Sequence, residues 1–124
     1  MTEKRHYERV RFVEQAQVHC GDNIYSCMVT DISLKGCLLE FEQENLEQLC
    51  SDQSCEITLQ LKGSDIVLRF EANTTHTHLH TVGFQFKSMP PESMTHLRRL
   101  LELNTGNPEE IDRELNYMMK QFMH

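Results

Sequence analysis

Residues 57–72 read Ile57-Thr58-Leu59-Gln60-Leu61-Lys62-Gly63-Ser64-Asp65-Ile66-Val67-Leu68-Arg69-Phe70-Glu71-Ala72. Ile57, Leu59 and Leu61 alternate with Thr58 and Gln60, and Ile66, Leu68, Phe70 and Ala72 repeat the alternation after the break. Successive side chains of an extended chain point to opposite faces, so each half reads as a strand with one buried face. The polar, glycine-bearing Lys62-Gly63-Ser64-Asp65 between them is a tight hairpin signal. Val82, Phe84 and Phe86 make a third clear strand, and weaker alternation predicts strands near 11–18, 24–30 and 36–42. Six short strands joined by turns predict a small antiparallel barrel or sandwich.

The period changes after Met89-Pro90-Pro91. Met94, Leu97, Leu100 and Leu101 form a helical stripe that Thr105-Gly106 should end. Asn107 suits a helix N-cap, Pro108 the first helical position, and Glu109 and Glu110 the positive end of the helix dipole. Ile111, Leu115, Met118 and Phe122 then mark one face of a final amphipathic helix. Strands followed by two helices give an α+β class, mainly β.

The chain of 124 residues is the size of one domain. Such a fold buries roughly two-thirds of the surface its unfolded chain exposes, so it needs no metal or disulfide to stand. Net charge is −7, which argues against a nucleic-acid polymer as partner, since that binding is driven by neutralising phosphates. The charge is uneven, however. Residues 1–11 carry Lys4, Arg5, Arg9 and Arg11 against Glu3 and Glu8, a net +2 with His6 beside them. Residues 38–56 carry Glu40, Glu42, Glu44, Glu47, Asp52 and Glu56 and no base. A basic patch on an acidic body suits a small, highly charged anion.

No run of about 18 apolar residues is present to span a membrane, and Met-Thr-Glu-Lys-Arg-His lacks the apolar stretch of a signal peptide. Five cysteines without a Cys-x-x-Cys pair read as free thiols in a reducing cytoplasm. Cys27, Cys37 and Cys55 fall in strand patterns and read as small core residues.

Two short segments carry the chemistry. Lys4-Arg5-His6-Tyr7-Glu8-Arg9 holds an Arg-x-x-x-Arg spacing ahead of the first strand. A guanidinium is a planar fork of donors that matches phosphate oxygens or the O6/N7 edge of guanine, and it stacks on bases. The same segment also reads as a solvated basic tail. Asp31-Ile32-Ser33-Leu34-Lys35-Gly36 lies between two expected strands. Asp31 and Ser33 could meet the polar edge of a ligand, and Gly36 would permit positive φ or close backbone approach. Equally, Asp31 and Ser33 could be ordinary turn residues at a strand end.

Taken together, the Arg-x-x-x-Arg arm, a strand, a hairpin and Asp-x-Ser-x-x-Gly resemble the PilZ domain, the bacterial receptor for cyclic di-GMP, on Arg5, Arg9, Asp31, Ser33 and Gly36. The resemblance covers nearly the whole chain. The tail His96-Leu97-Arg98-Arg99-Leu100-Leu101-Glu102-Leu103-Asn104 with its acidic helix looks like the single-domain PilZ proteins of gammaproteobacteria. The resemblance implies a six-stranded antiparallel barrel over 12–88, a flexible basic arm over 1–11, and helices over 89–124 packing on the barrel. It implies that Arg5 and Arg9 grip phosphates and guanine Hoogsteen edges, that Asp31 and Ser33 hold a guanine, and that Gly36 lets the backbone approach. Lys4 stands where many members have a second arginine, which keeps the charge but loses the bidentate fork. Close relatives place a tryptophan near His76. This chain has none, so the resemblance implies His76 as a weaker stacking group. It further implies a cytoplasmic receptor, monomeric without ligand, that signals to an unidentified protein partner in motility or biofilm regulation.

Rival readings remain in the sequence. The chain could be a PilZ-like adaptor that binds protein through its acidic 40–56 surface and final helix and does not bind nucleotide. His76, His78 and His80 alternate, as zinc or copper ligands can, but no fourth ligand is evident nearby. Met118, Met119 and Met123 leave room for a partner surface. No nucleophile motif such as Gly-x-Ser-x-Gly and no phosphate-cradling glycine loop is found, so no enzyme and no cofactor is expected.

Overall fold

The structure is a computed structural model that describes residue 7, residues 9–42 and residues 54–122. Lys4 and Arg5, the acidic Glu44, Glu47 and Asp52, and Met123 therefore lie outside the described residues. The strands are β1 (Val10–Cys20), β2 (Asn23–Ile32), β3 (Gly36–Phe41), β4 (Ser54–Gln60), β5 (Val67–His78) and β6 (Thr81–Ser88), followed by the helices α1 (Pro91–Asn104) and α2 (Pro108–Phe122). The strands close into a barrel in the order β1-β2-β3-β6-β5-β4, with every pair antiparallel.

The alternation that marked residues 57–72 is the alternation of burial. Ile57, Leu59, Leu68, Phe70 and Ala72 face inward, while Glu56, Gln60, Arg69 and Glu71 face out. Ile57 pairs with Phe70 and Leu59 with Leu68, so the hairpin register brings apolar side chains opposite one another. Leu61 to Ile66 form the expected connection, with Gly63 at φ +80°. Val18, Val29, Leu39 and Val82 complete the interior from the other strands. Each buried aliphatic of this size contributes about 1.5–3 kcal/mol of transfer free energy. Phe70 and Phe86 stack with centroids 4.3 Å apart.

α1 packs on β5 and β1, and α2 packs on α1. Leu97 and Leu101 of α1 and Ile111 of α2 are fully buried. Ser93 is buried in the first turn of α1, where its hydroxyl accepts the Arg69 N–H at 3.0 Å and fixes the helix to β5. The chain leaves α1 through Thr105 in an extended conformation, not through a left-handed Gly106. No described helix is long and apolar enough to cross a membrane.

The cysteine expectation needs correction. Cys20 and Cys55 are joined in a disulfide across β1 and β4. The β1–β4 ladder pairs His19 with Glu56, so the next step along it brings Cys20 beside Cys55 with both side chains turned inward. Cysteine spacing along the chain cannot reveal a pairing set by strand register between residues 35 apart. The cysteine count therefore no longer argues for a reducing compartment. Cys27 and Cys37 remain free and buried, as read from the alternation. Burial alone raises the Cys27 thiol to about 12, and burial with the neighbouring Cys27 raises Cys37 as well.

Two outcomes follow from these sulfurs. Dithiothreitol should lower the melting temperature of the wild type but not that of the Cys20→Ser/Cys55→Ser double variant. The difference should reach about 3–4 kcal/mol for a loop of this size in the chain-entropy account. Both forms of the chain keep Cys27 neutral below pH 9.0, and above it the unfolded chain ionises while the folded one does not. Stability measured by urea titration should therefore fall progressively from pH 9.0 toward 12, less steeply in Cys27→Ala.

Candidate functional site

The segment Asp31–Gly36 sits where two strands lose their regular register. β1 slips between Arg11 and Glu14, and β2 slips between Val29 and Asp31. An extra residue in one strand bends it and re-aims the side chains that follow. Asp31 emerges half-buried just beyond both irregularities.

Ser33 organises the turn after it. Its N–H donates to the Gly36 carbonyl at 2.9 Å. Its hydroxyl accepts the N–H groups of Lys35 at 3.2 Å and Gly36 at 3.3 Å, and donates to the Gly36 carbonyl at 3.3 Å. The turn reading of Ser33 is thus directly visible: the hydroxyl is engaged with its own backbone.

Gly36 opens β3 against Gln85 of β6. A Cβ at this position would run into the Phe84 carbonyl oxygen and crowd the Gln85 Cα at 3.3 Å. Of its two possible uses, close backbone approach is the one realised, since its φ is not positive. The adjacent Phe86 N–H donates to the Lys35 carbonyl at 2.8 Å and continues the contact into the turn.

The opposite wall comes from the β5–β6 hairpin. β5 slips register between Thr74 and His76, which lifts Thr75 and His76 outward. Thr75 Oγ1 and His76 Nδ1 lie 3.1 Å apart. The imidazole lies over Gly83, where a Cβ would meet His76 Cε1 at 2.7 Å. The absence of a side chain at 83 therefore gives the ring its resting place.

These walls enclose a cleft of about 200 Å³. Of the residues singled out from the sequence, Arg9, Asp31, Ser33, Gly36 and His76 all line it. Lys4 and Arg5 fall outside the described residues. Lys35, Leu38, Thr75 and Gln85 also line the cleft and carried no assignment from sequence. Lys35 belongs to the same hexapeptide as Asp31, Ser33 and Gly36. Thr75 and Gln85 are set by the bulge and the β6 register, which only the fold reveals. Arg9 and Lys35 give the cleft two cations against the single carboxylate of Asp31. His78 continues along β5 and His80 sits in the turn, where its carbonyl accepts the Phe41 N–H at 2.8 Å. Among the described residues, no three His, Cys, Asp or Glu side chains converge as a metal-holding group.

The family model described as the PilZ domain matches residues 3–103. The chain belongs to the PilZ domain family. The structure resembles the PilZ domain with c-di-GMP of YcgR from Escherichia coli, with a TM-score of 0.69 at 16% identity over 95% of this chain and 98% of that one. It also resembles the Bacillus subtilis inhibitor of motility, with a TM-score of 0.66 at 15% identity over 93% of this chain. This chain spans only 53% of that protein. The PilZ domain of CeSA from a cellulose-synthesizing bacterium aligns with a TM-score of 0.58 at 17% identity, over 75% of this chain and 93% of that one. At these identities the likeness establishes the six-stranded PilZ barrel.

The two glycines make separable predictions. Gly36→Ala must push β3 away from backbone atoms of β6 and should lower stability by about 1–3 kcal/mol. Gly83→Ala meets only exposed side-chain atoms of His76 and Thr75. It should leave the denaturation midpoint nearly unchanged while shifting the His76 ring resonances in NMR.

Proposed function

We propose that this chain is a receptor for cyclic di-GMP. The observation that carries the reading is the cleft, which gathers Arg9, Asp31, Ser33, Gly36 and His76 from three separate segments of chain. The ligand is a dianion bearing two flat purines. Arg9 supplies a fork for phosphate oxygens or for guanine O6 and N7. Asp31 is an acceptor for the N–H groups of a guanine Watson–Crick edge. His76 offers a flat face for stacking, near where the family resemblance implies a tryptophan. Ser33 acts chiefly by holding its turn, so its contribution is the position of Asp31 and of the Gly36 backbone.

A cleft of about 200 Å³ is small beside the roughly 300–1,000 Å³ of common ligand sites. It fits a purine edge and a phosphate and not the whole dinucleotide. In this reading Lys4 and Arg5, from the basic segment ahead of β1, supply the further cationic contacts that the dinucleotide needs. Ordering that arm costs conformational entropy, which the charged contacts offset. An arm that changes place when ligand enters also changes the surface a partner meets, which is how occupancy becomes a signal. The chain is a cytoplasmic binding module with no catalytic step, monomeric without ligand, that reports to a separate protein. The likeness to an E. coli PilZ domain with c-di-GMP and to a B. subtilis inhibitor of motility supports the same reading.

Isothermal titration calorimetry with cyclic di-GMP tests the reading. The wild type should bind, and Arg9→Ala should lose about 10- to 100-fold in affinity, the worth of one hydrogen-bonded charge pair. Asp31→Ala should lose a comparable factor. Equal tight binding by Arg9→Ala would remove Arg9 from the site. Neither heat nor a thermal shift at high ligand would replace the receptor by the protein adaptor.

A further inference from the structure

We infer that Tyr7 and Lys35 form a clasp that pins the root of the N-terminal arm to the β2–β3 turn and thereby positions Arg9 for the ligand. This deepens the receptor reading and rests on it for the ligand's identity.

The Lys35 ammonium lies over the Tyr7 ring, 5.7 Å from its centroid. That is within the reach of a cation–π attraction. Each partner stands on a fixed base. Tyr7 is half-buried and packs against the barrel core. Lys35 is held at both backbone groups: its N–H donates to Ser33 Oγ at 3.2 Å, and its carbonyl accepts the Phe86 N–H at 2.8 Å. The contact therefore joins the chain just before β1 to the turn that carries the Asp-x-Ser-x-x-Gly residues.

The consequence falls on Arg9. It lies two residues beyond Tyr7, directly before β1 begins at Val10, and it lines the same cleft as Lys35. Two residues of chain span at most about 7 Å. A ring pinned at position 7 and a strand beginning at position 10 leave the Arg9 backbone almost no freedom. The guanidinium then starts from the cleft rim before any ligand arrives. Preorganisation of this kind raises affinity by removing an ordering cost that binding would otherwise bear.

Neither residue is used by the contacts proposed for Arg9, Asp31 and His76. Tyr7 does not line the cleft, so replacing it should weaken binding without removing a ligand contact, whereas Lys35 lines the cleft and its replacement serves the cleavage readout alone. Tyr7→Leu keeps an apolar side chain but has no negative ring face. Tyr7→Phe keeps the face and loses only the hydroxyl. Lys35→Met removes the cation while leaving the packing of Tyr7 intact, so it guards against a Tyr7 variant that merely fails to fold.

Two measurements on the full chain test the clasp: the rate of tryptic cleavage after Arg9 without ligand, and affinity for cyclic di-GMP by calorimetry. Tyr7→Leu and Lys35→Met should both be cleaved faster than wild type, and Tyr7→Leu should bind about two- to fivefold more weakly, the scale of one exposed cation–π contact. Tyr7→Phe should match wild type in both. Cleavage of Tyr7→Leu at the wild-type rate would overturn the clasp. Faster cleavage with unchanged affinity would overturn its positioning role. A Tyr7→Phe as impaired as Tyr7→Leu would assign the effect to the hydroxyl and overturn the ring-face contact. A wild type that binds no cyclic di-GMP would overturn the receptor reading alone, because the ligand-free cleavage rates would still decide whether the clasp exists.

Discussion

The close approach of Gly36 to Phe84 is the constraint on which the site depends. β3 and β6 are not neighbours in sequence, and their pairing brings the turn after β2 against the β5–β6 hairpin. Glycine allows the backbones to meet, and the hydrogen bond from Phe86 to Lys35 extends the contact past the end of the ladder. Without it the Asp31–Gly36 turn and the His76 bulge would belong to different surfaces. The motif glycine therefore acts through the barrel: it makes one cleft from two hairpins.

Much of this was legible in the residues, for a physical reason. In a barrel one face of every strand is buried, so period-2 alternation survives in β4, in β5 as far as Thr74, and in β6. The 57–72 hairpin shows it most cleanly. The alternation fades where the register slips, at Arg11–Glu14, Val29–Asp31 and Thr74–His76. Those irregularities border the cleft. The parts of the site hardest to see in sequence are thus the parts that the fold bends in order to build it. Asp31, Ser33 and Gly36 were found through a motif, since local turn chemistry stays within a hexapeptide. Thr75 and Gln85 enter only through pairings that no local pattern encodes. The Cys20–Cys55 bridge escaped notice for the same reason.

Ser33 shows how a motif residue can act through its own backbone. A hydroxyl that accepts two N–H groups and donates to one carbonyl has little capacity left for a ligand. Its value is that it fixes four consecutive backbone positions at once. Lys35 projects from within that segment, and Asp31 lies two residues ahead of it. The motif then encodes a rigid presentation of one carboxylate and one ammonium, with serine as the fastener.

The charge distribution follows from the same division of labour. A net charge of −7 repels polyanions at long range, where the whole molecule acts as one negative body. Within about one Debye length, roughly 8–10 Å, the local set Arg9 and Lys35 dominates. A small dianion can enter that zone whole, whereas a duplex must leave most of its phosphates facing the acidic remainder. Selection between them needs no steric gate. It follows from bringing Arg9 and Lys35 together at one cleft and leaving the surplus of carboxylates elsewhere.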